Sequence, residues 1–453
     1  MRIELSIPQD FLDLLSATEG IFYGDIESRR INAVCTDSRE CEPGDVFFAL
    51  CGKNFDGNSF IPEAIGRGAI PVGIGVGRFG IRVDSAEDAL LSFAAYYKGV
   101  LPKLRHTVAI TGSVGKTTTK EFLHKIAKEE YKTHATWGNY NNKIGVSLTI
   151  LSAPKDTEVL ILEMGMNHSG EIENMASRVK PNTAIITRIG TSHIGFLGSA
   201  ENIARAKLEI ACGLQGKLII PKNEPLLKCD YPKISYFSSH DISASTAITK
   251  NRFDKMELYF NKTLHSFFDF PSKTDHIRQC LAAAVTGALA IGISKNKILD
   301  AIKAINEDTL RHKILKSKSG FLIIDDSYNS SYESLSAALE TLNELQYSGK
   351  ASALIGDIFE LGSKSEQIHY EIGKLLSAAN FEHLFFVGKH IEATAKGAID
   401  SGFDKERIFI YPFDTSGQII AEEIFNRLTT EDVLLAKASH GVKLKSIIEI
   451  ISG

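Results

Sequence analysis

The sequence predicts an α/β protein built as three successive domains around largely parallel sheets. Three observations point there. The chain has 453 residues, and at about 150 residues per domain that makes about three. Continuous apolar runs of strand length alternate with helix-length segments, the pattern of strands covered on both faces by crossover helices. The alternation also restarts twice, after Pro102-Lys103-Leu104-Arg105 and again after Arg311. The expected domains are therefore 1–104, 105–309 and 310–453.

Residues 31–84 alternate short apolar runs with Gly- and Asp-rich turns, as in Val46-Phe47-Phe48-Ala49-Leu50 and Ile70-Pro71-Val72. They read as a small α/β module, closed by a helix over Glu87–Val100. In the second block Thr107–Ile110 is a buried strand, followed by a glycine turn and a helix over Lys116–Glu130. Glu158–Glu163, Thr183–Thr187 and Lys217–Ile220 are further strands, with a helix over 201–214. Residues 232–270 are β-rich, and Leu281–Ala290 is a small-residue helix suited to close packing. In the third block the strands are Phe321–Asp325, Ser352–Gly356, His383–Gly388, Arg407–Tyr411 and Asp432–Lys437, with helices between them.

Composition excludes several classes. With 43% hydrophobic and 23% charged residues the chain is an ordinary globular protein, neither fibrous nor disordered. Lys+Arg 51 against Asp+Glu 55 leaves a net charge of −4, which argues against a nucleic-acid partner. No uncharged apolar run reaches about 18 residues and the start lacks a signal-peptide core, so no membrane insertion is expected. Six cysteines without a CxxC pair suggest neither a zinc cage nor a disulfide framework, and a cytoplasmic monomer is the expectation.

The sharpest local signal is Thr111-Gly112-Ser113-Val114-Gly115-Lys116-Thr117-Thr118-Thr119, set between a strand and a helix. Its glycines let the backbone wrap a polyphosphate, and the amides at the helix start face its charge. Lys116 would neutralise β/γ oxygens and the Thr117 hydroxyl would ligate Mg²⁺. The common form of such a loop has glycine where this chain has Ile110, so this is a variant.

Other groups admit two readings each. Glu163 ends a strand at the edge where open α/β sheets bind ligands, yet a strand-end acid is as readily a solvated cap. His193, in Gly190-Thr191-Ser192-His193, either reaches a ligand or is an unremarkable loop histidine. Lys207, in Ala204-Arg205-Ala206-Lys207-Leu208-Glu209, reads by itself as a solvated helix-face lysine. The Asn-rich stretch Trp137–Gly145, with Asn139, Asn141 and Asn142, is either turn chemistry or a recognition loop for an amide-bearing substrate. Asp325-Asp326-Ser327-Tyr328-Asn329 follows a strand, so its acids suit ribose hydroxyls and Tyr328 and Asn329 a substrate, or the whole is an Asx-capped turn.

Taken in order, these pieces resemble the Mur ligase family over nearly the whole chain. Thr36-Asp37-Ser38-Arg39, Pro43-Gly44-Asp45 and Phe55-Asp56-Gly57 resemble the family's UDP-sugar module, and Thr111–Thr118 its phosphate loop. The stretches around Gly138–Gly145, Glu163–His168, Asp325–Asn329 and Gly356–Gly362 resemble the branch that adds a dipeptide. The resemblance implies a P-loop-ATPase-like central sheet, a Rossmann-like C-terminal domain, and ATP and Mg²⁺ as cofactors. It implies UDP-N-acetylmuramoyl-tripeptide and D-alanyl-D-alanine as substrates, joined through an acyl phosphate. Gly112, Ser113, Val114, Gly115, Lys116, Thr117, Thr118, Gln279, Arg311 and Asp326 would contact ATP. Ser38, Arg39, Asn139, Asn142, Tyr328 and Asn329 would contact the other substrates. Thr117 and Glu163 would hold one Mg²⁺, and His193 with a carbamylated Lys207 a second.

The chain departs from the family pattern at Gln279, where an adenine-contacting Asn is usual, and at Arg188. Ser330-Ser331-Tyr332 and Ala438-Ser439-His440 depart likewise. Two rivals stand beside this reading. One is another ligase of the superfamily, adding a single amino acid. The other is a P-loop NTPase switch protein, which would hydrolyse ATP without needing a UDP-sugar.

Overall fold

The computed structural model describes residues 1–25, 30–52, 55–306 and 313–453. Arg311 and the expected boundary at 309/310 lie outside the described residues. Within them, the strands form three large sheets and one two-stranded hairpin.

The first sheet has six strands, in the order Arg2–Asp10, Arg30–Cys35, Val46–Phe48, Ile70–Gly73, Gly80–Arg82 and Ile21–Tyr23. Its middle is parallel and both edge strands pair antiparallel. The strand at 46 stops at Phe48, short of the expected Leu50. The closing helix, Ala86–Val100, is N-capped by Ser85, whose hydroxyl accepts from Asp88 N, and ends in the Lys98 turn.

The central sheet has nine strands, and their order decides where the site falls. It runs Thr133–Ala135, Val159–Glu163, His106–Thr111, Thr183–Ile186, Lys217–Pro221, Ile234–Ser238, Thr246–Lys250, Met256–Phe260 and Thr263–Phe268. The first seven are parallel and the last two pairings are antiparallel, so the largely parallel sheet expected carries a mixed edge within the β-rich stretch. The reason is chain length. The links 251–255 and 261–262 have the length of hairpin loops, and hairpins close over them.

Alternation along the strands sends side chains to two cores. Val108 and Ile110 pack with Phe122, Leu123 and Ile126 of helix Lys116–Lys128 and with Leu281–Val285 of helix Asp275–Ala290. Leu160 and Leu162 face the other way, onto Val146 and Ile150 of helix Lys143–Leu151 and Phe93 and Tyr97 from the first domain. Each fully buried aromatic such as Phe122 or Phe93 contributes about 2–3 kcal/mol of hydrophobic stabilisation. The expected helix over 201–214 is shorter: Ala200–Leu208 is α-helical and Glu209–Ala211 tightens to a 3₁₀ turn.

The third sheet runs Lys313–Lys316, Leu322–Asp326, Val433–Lys437, Ala351–Gly356, Phe381–Gly388 and Ile408–Pro412. It is parallel except for its first, antiparallel edge strand. Asp326 and Lys437 are register partners at adjoining strand ends.

One partly buried histidine contributes to the response to acid. Burial, helped by the nearby Lys128 charge, lowers the His124 pKa from 6.5 to about 4. Between those values the unfolded chain binds a proton that the folded one refuses, so stability falls as pH drops from 6.5 toward 4. The loss from this group is about 2–3 kcal/mol. Urea unfolding of His124→Gln should therefore show a shallower acid limb than the parent over that range, with the two curves parallel above pH 7.

Candidate active site

The phosphate loop leaves the central strand of the sheet, His106–Thr111, between two neighbours whose ends are level with it: Glu163 pairs with Ile110 and Ile186 with Thr111. The chain crosses from one side of this strand to the other here, the switch point at which open α/β sheets bind ligands. Gly112 has φ +147, and a Cβ there would lie 2.0 Å from Thr187 Oγ1, so only glycine lets the loop fold against the next strand. Thr187 Oγ1 donates to Val114 O at 2.6 Å and Ser113 N to Arg188 O at 2.8 Å, pinning the loop from behind. Gly115, at φ +87, ends the loop and opens helix Lys116–Lys128. Lys116 Nζ curls back to Gly112 O at 2.7 Å.

Beside the loop, Glu163 is 1% exposed, so the solvated-cap alternative fails. Its two oxygens are divided between partners. Thr117 Oγ1 donates to one at 2.9 Å and Asn141 Nδ2 to the other at 2.9 Å. The Glu163 amide in turn donates to Thr136 Oγ1 at 3.0 Å, which fixes the strand end. A hydroxyl and a buried carboxylate on one spot suit a hard cation. Among the described residues no group of three or more His, Cys, Asp or Glu side chains makes a metal cage by itself. The Thr117 hydroxyl and Glu163 carboxylate are donors of the kind Mg²⁺ takes, one or two protein oxygens with the rest of its shell from phosphates and water.

Lys207 is fully buried, contrary to the solvated-face reading. Its Nζ has no hydrogen-bond partner among the described residues. Burial first, and the Lys116 charge second, hold its pKa well below the usual lysine value, while Glu209, Glu171 and Glu163 pull the other way. A lowered pKa favours the neutral, nucleophilic form of the amine.

The cleft in front of the loop is shared between domains. Gly115, Lys116, Thr117, Asn139, Glu163 and His193 line it from the central domain, with Asp326, Tyr328 and Asn329 facing them from the third. Lys437, 1% exposed, holds that third-domain wall together. Its Nζ donates to Asp326 Oδ2 at 2.6 Å and to Asn329 O at 2.8 Å. His193 has φ +65 and its Nδ1 lies 2.6 Å from Glu360 Oε2, across the domain junction. Gln279 sits behind the loop in a small pocket with Val114, Thr187, Arg188, His276 and Cys280.

Other expected residues fall elsewhere. Asn142 takes the turn-chemistry alternative: its side chain accepts from Gly145 N at 2.8 Å as the N-cap of helix Lys143–Leu151, and it does not line the cleft. Ser38 Oγ donates to Glu63 Oε2 at 2.6 Å, and Arg39 pairs with Asp37, both within the first domain. Sequence reasoning gave no site role of their own to Asn141, His276, Glu360 and Lys437. The capping rule could have assigned Asn142 to the helix start and freed Asn141 for the acid. Lys437 ends a strand, which is a usable signal. Glu360 lies in the family-like stretch Gly356–Gly362, but only domain packing brings it to His193.

Comparison with known proteins follows the same three-part division. A model of the Mur ligase catalytic domain matches residues 30–97, one of the Mur ligase middle domain 110–286, and one of the Mur ligase glutamate ligase domain 310–440. A Bacillus subtilis relative, UDP-N-acetylmuramoyl-tripeptide–D-alanyl-D-alanine ligase, is 33% identical over 433 residues, 93% of each chain. The chain belongs to the Mur ligase family. Among solved structures, this Mur ligase resembles MurF from Acinetobacter baumannii, with TM-score 0.86, 27% identity and 99% of each chain covered. It also resembles Thermotoga maritima MurF in complex with ADP, with TM-score 0.78, 26% identity and 92% and 96% covered. The observed α/β architecture of this Mur ligase is that of these neighbours.

Proposed function

We propose that this Mur ligase is an ATP-dependent amide ligase joining D-alanyl-D-alanine to UDP-N-acetylmuramoyl-tripeptide, a step in making the peptidoglycan precursor. The observation that carries the reading is one cleft lined by the phosphate loop, Glu163 and the third-domain residues Asp326, Tyr328 and Asn329. A switch protein would not require that third wall. Residues 1–104 are assigned to the UDP-sugar, 105–309 to ATP and 310–453 to the dipeptide. The site lies on a chain in which no described helix is long and apolar enough to cross a membrane, and a monomer in the cytoplasm is the working state proposed.

The chemistry begins with two anions. A tripeptide carboxylate oxygen attacks the γ-phosphorus of ATP, ADP departs, and an acyl phosphate forms. Lys116 leaves its loop carbonyls to meet the transferring phosphoryl oxygens, and the loop amides hold the chain of phosphates in line. Mg²⁺, held by Thr117 and Glu163, would supply charge neutralisation where the two anions meet. Asn141 fixes the Glu163 carboxylate so that one oxygen stays turned to Thr117. The dipeptide amine then attacks the acyl carbon, loses a proton, and phosphate leaves. A second Mg²⁺ would be held by His193, whose Nδ1 lies on Glu360, and by Lys207 if its amine carried a carbamate, and it would add charge neutralisation at the phosphates. Asp326, braced by Lys437, is placed for ribose hydroxyls, with Gln279 behind the loop for adenine.

Phosphate release should require ATP, the UDP-tripeptide and D-alanyl-D-alanine together, with the pentapeptide product seen by mass. Equal release with a single amino acid would move the reading to another branch of the family. Release with neither acceptor nor dipeptide would favour the switch protein. Removing the Asn141 amide should loosen the acid: Asn141→Leu is expected to raise the Mg²⁺ concentration for half-maximal rate about 10-fold. An unchanged Mg²⁺ titration would remove Asn141 from the metal's support.

A further inference from the structure

Beside the His193–Glu360 contact, the third domain meets the central domain through one acidic helix face. Helix Tyr332–Glu344 carries Glu333, Glu340 and Glu344, and each ends on a central-domain group. Glu344 accepts from Ser272 Oγ at 2.8 Å and from Lys273 N at 3.0 Å. Glu340 accepts from Asp275 N at 2.9 Å. These two grip the N-terminal side of helix Asp275–Ala290 through two backbone amides and one hydroxyl, and the helix dipole favours them.

Glu333 does something different. Its carboxylate accepts from Thr191 N at 2.9 Å and from Thr191 Oγ1 at 3.1 Å, a two-point grip on the loop that carries His193. The same loop touches the phosphate loop on its other side. Ser113 N donates to Arg188 O at 2.8 Å, and Ser113 Oγ to Gly190 O at 3.4 Å. The approach is close enough that a Cβ on Gly190 would lie 2.7 Å from the Glu333 carboxyl carbon. Residues 188–192 are thus held between the nucleotide loop and the third domain, with no flexible linker between the two grips.

We propose that Glu333 is a positioning residue: it latches the third domain onto residues 190–192, so that the cleft stays shut over the reacting phosphate until the amine has attacked. Glu340 and Glu344 form the pivot of this contact and Glu333 its closing end. The proposal rests on the ligase reading above. Its consequence follows from water. An acyl phosphate exposed to solvent is lost to hydrolysis, in which water attacks in place of the amine and phosphate leaves without a peptide bond.

The measurement is the ratio of phosphate released to pentapeptide formed, on the full chain with all three substrates. Wild type is measured first, and a wild type that forms no pentapeptide fails the ligase reading, not the latch. With ligation established, Glu333→Gln keeps one acceptor but loses the charge. It should raise the phosphate-to-peptide ratio about 3-fold or more, with the ATP KM moved less than about 2-fold. Gly190→Ala, which presses on the same contact from the central side, should uncouple in the same direction. Thr191→Val combined with Glu333→Gln should add little to Glu333→Gln alone, because both remove one interaction. A ratio that stays at the wild-type value in both single variants, or effects of Thr191→Val and Glu333→Gln that simply multiply, would overturn the latch.

Discussion

Lys116→Ala is expected to abolish ligation, lowering kcat at least about 10³-fold while the protein stays folded. The size follows from the two-anion encounter: a carboxylate must approach a phosphoryl group that already carries negative charge. Lys116 is the cation the loop itself supplies, at the first position of helix Lys116–Lys128. Without nucleotide its amine rests on Gly112 O and Ser113 O, partners that a phosphate can replace at no cost in buried charge. Those two bonds are half-buried and their loss is worth about 1 kcal/mol, so the thermal midpoint of Lys116→Ala should stay near that of the parent. Ligation retained within about 10-fold of wild type would remove Lys116 from phosphoryl transfer.

The second large effect is expected at Lys207, and it has two readouts. The amine is buried, lacks a partner among the described residues, and has its pKa pushed well below the usual lysine value by that burial. Between its lowered pKa and the unfolded value of 10.5 the unfolded chain binds a proton that the folded chain does not. Stability of the unmodified protein therefore rises with pH through that window. Reaction with CO₂ relieves the strain. The amine nitrogen bonds to the carbon, a proton leaves, and a carbamate anion replaces an orphaned amine. Bicarbonate should raise the thermal midpoint of wild type and leave Lys207→Met unmoved, a difference independent of activity. Lys207→Ala is expected to be nearly inactive and partly restored by a short carboxylate in solution. Full activity of Lys207→Met, with no bicarbonate effect on wild type, would leave Lys207 a merely buried lysine.

How much of this was legible before the fold differs from residue to residue. The phosphate loop could be read because its signal is local. Two glycines, a lysine and a hydroxyl between a strand and a helix define their own geometry, and the structure adds only Thr187 and Arg188 behind it. Glu163 was visible as a strand-end acid, but its burial and its division between Thr117 and Asn141 were not. Asn139, Asn141 and Asn142 could not be told apart by composition, since one turn of chain decides which amide caps a helix and which meets the acid. For Lys207 the residue pattern pointed the wrong way. Its neighbours Arg205 and Glu209 suggest a wet helix face, whereas the fold closes over Lys207 itself.

The sequence by itself determined the α/β alternation, the place of the phosphate loop and, through the order of its motifs, the family. Those features depend on periodicity and on residues close together in the chain, where the backbone alone sets the distances. Tertiary structure decided the antiparallel edge of the central sheet, the pairing of Lys437 with Asp326, and the meeting of His193 with Glu360 and of Thr191 with Glu333. The three side-chain contacts join residues from about 110 to more than 160 positions apart, brought together by strand order and domain docking. No local preference encodes such distances. They come from burying the apolar faces of three sheets at once, and the polar groups at the domain junction then take the partners that packing brings to them.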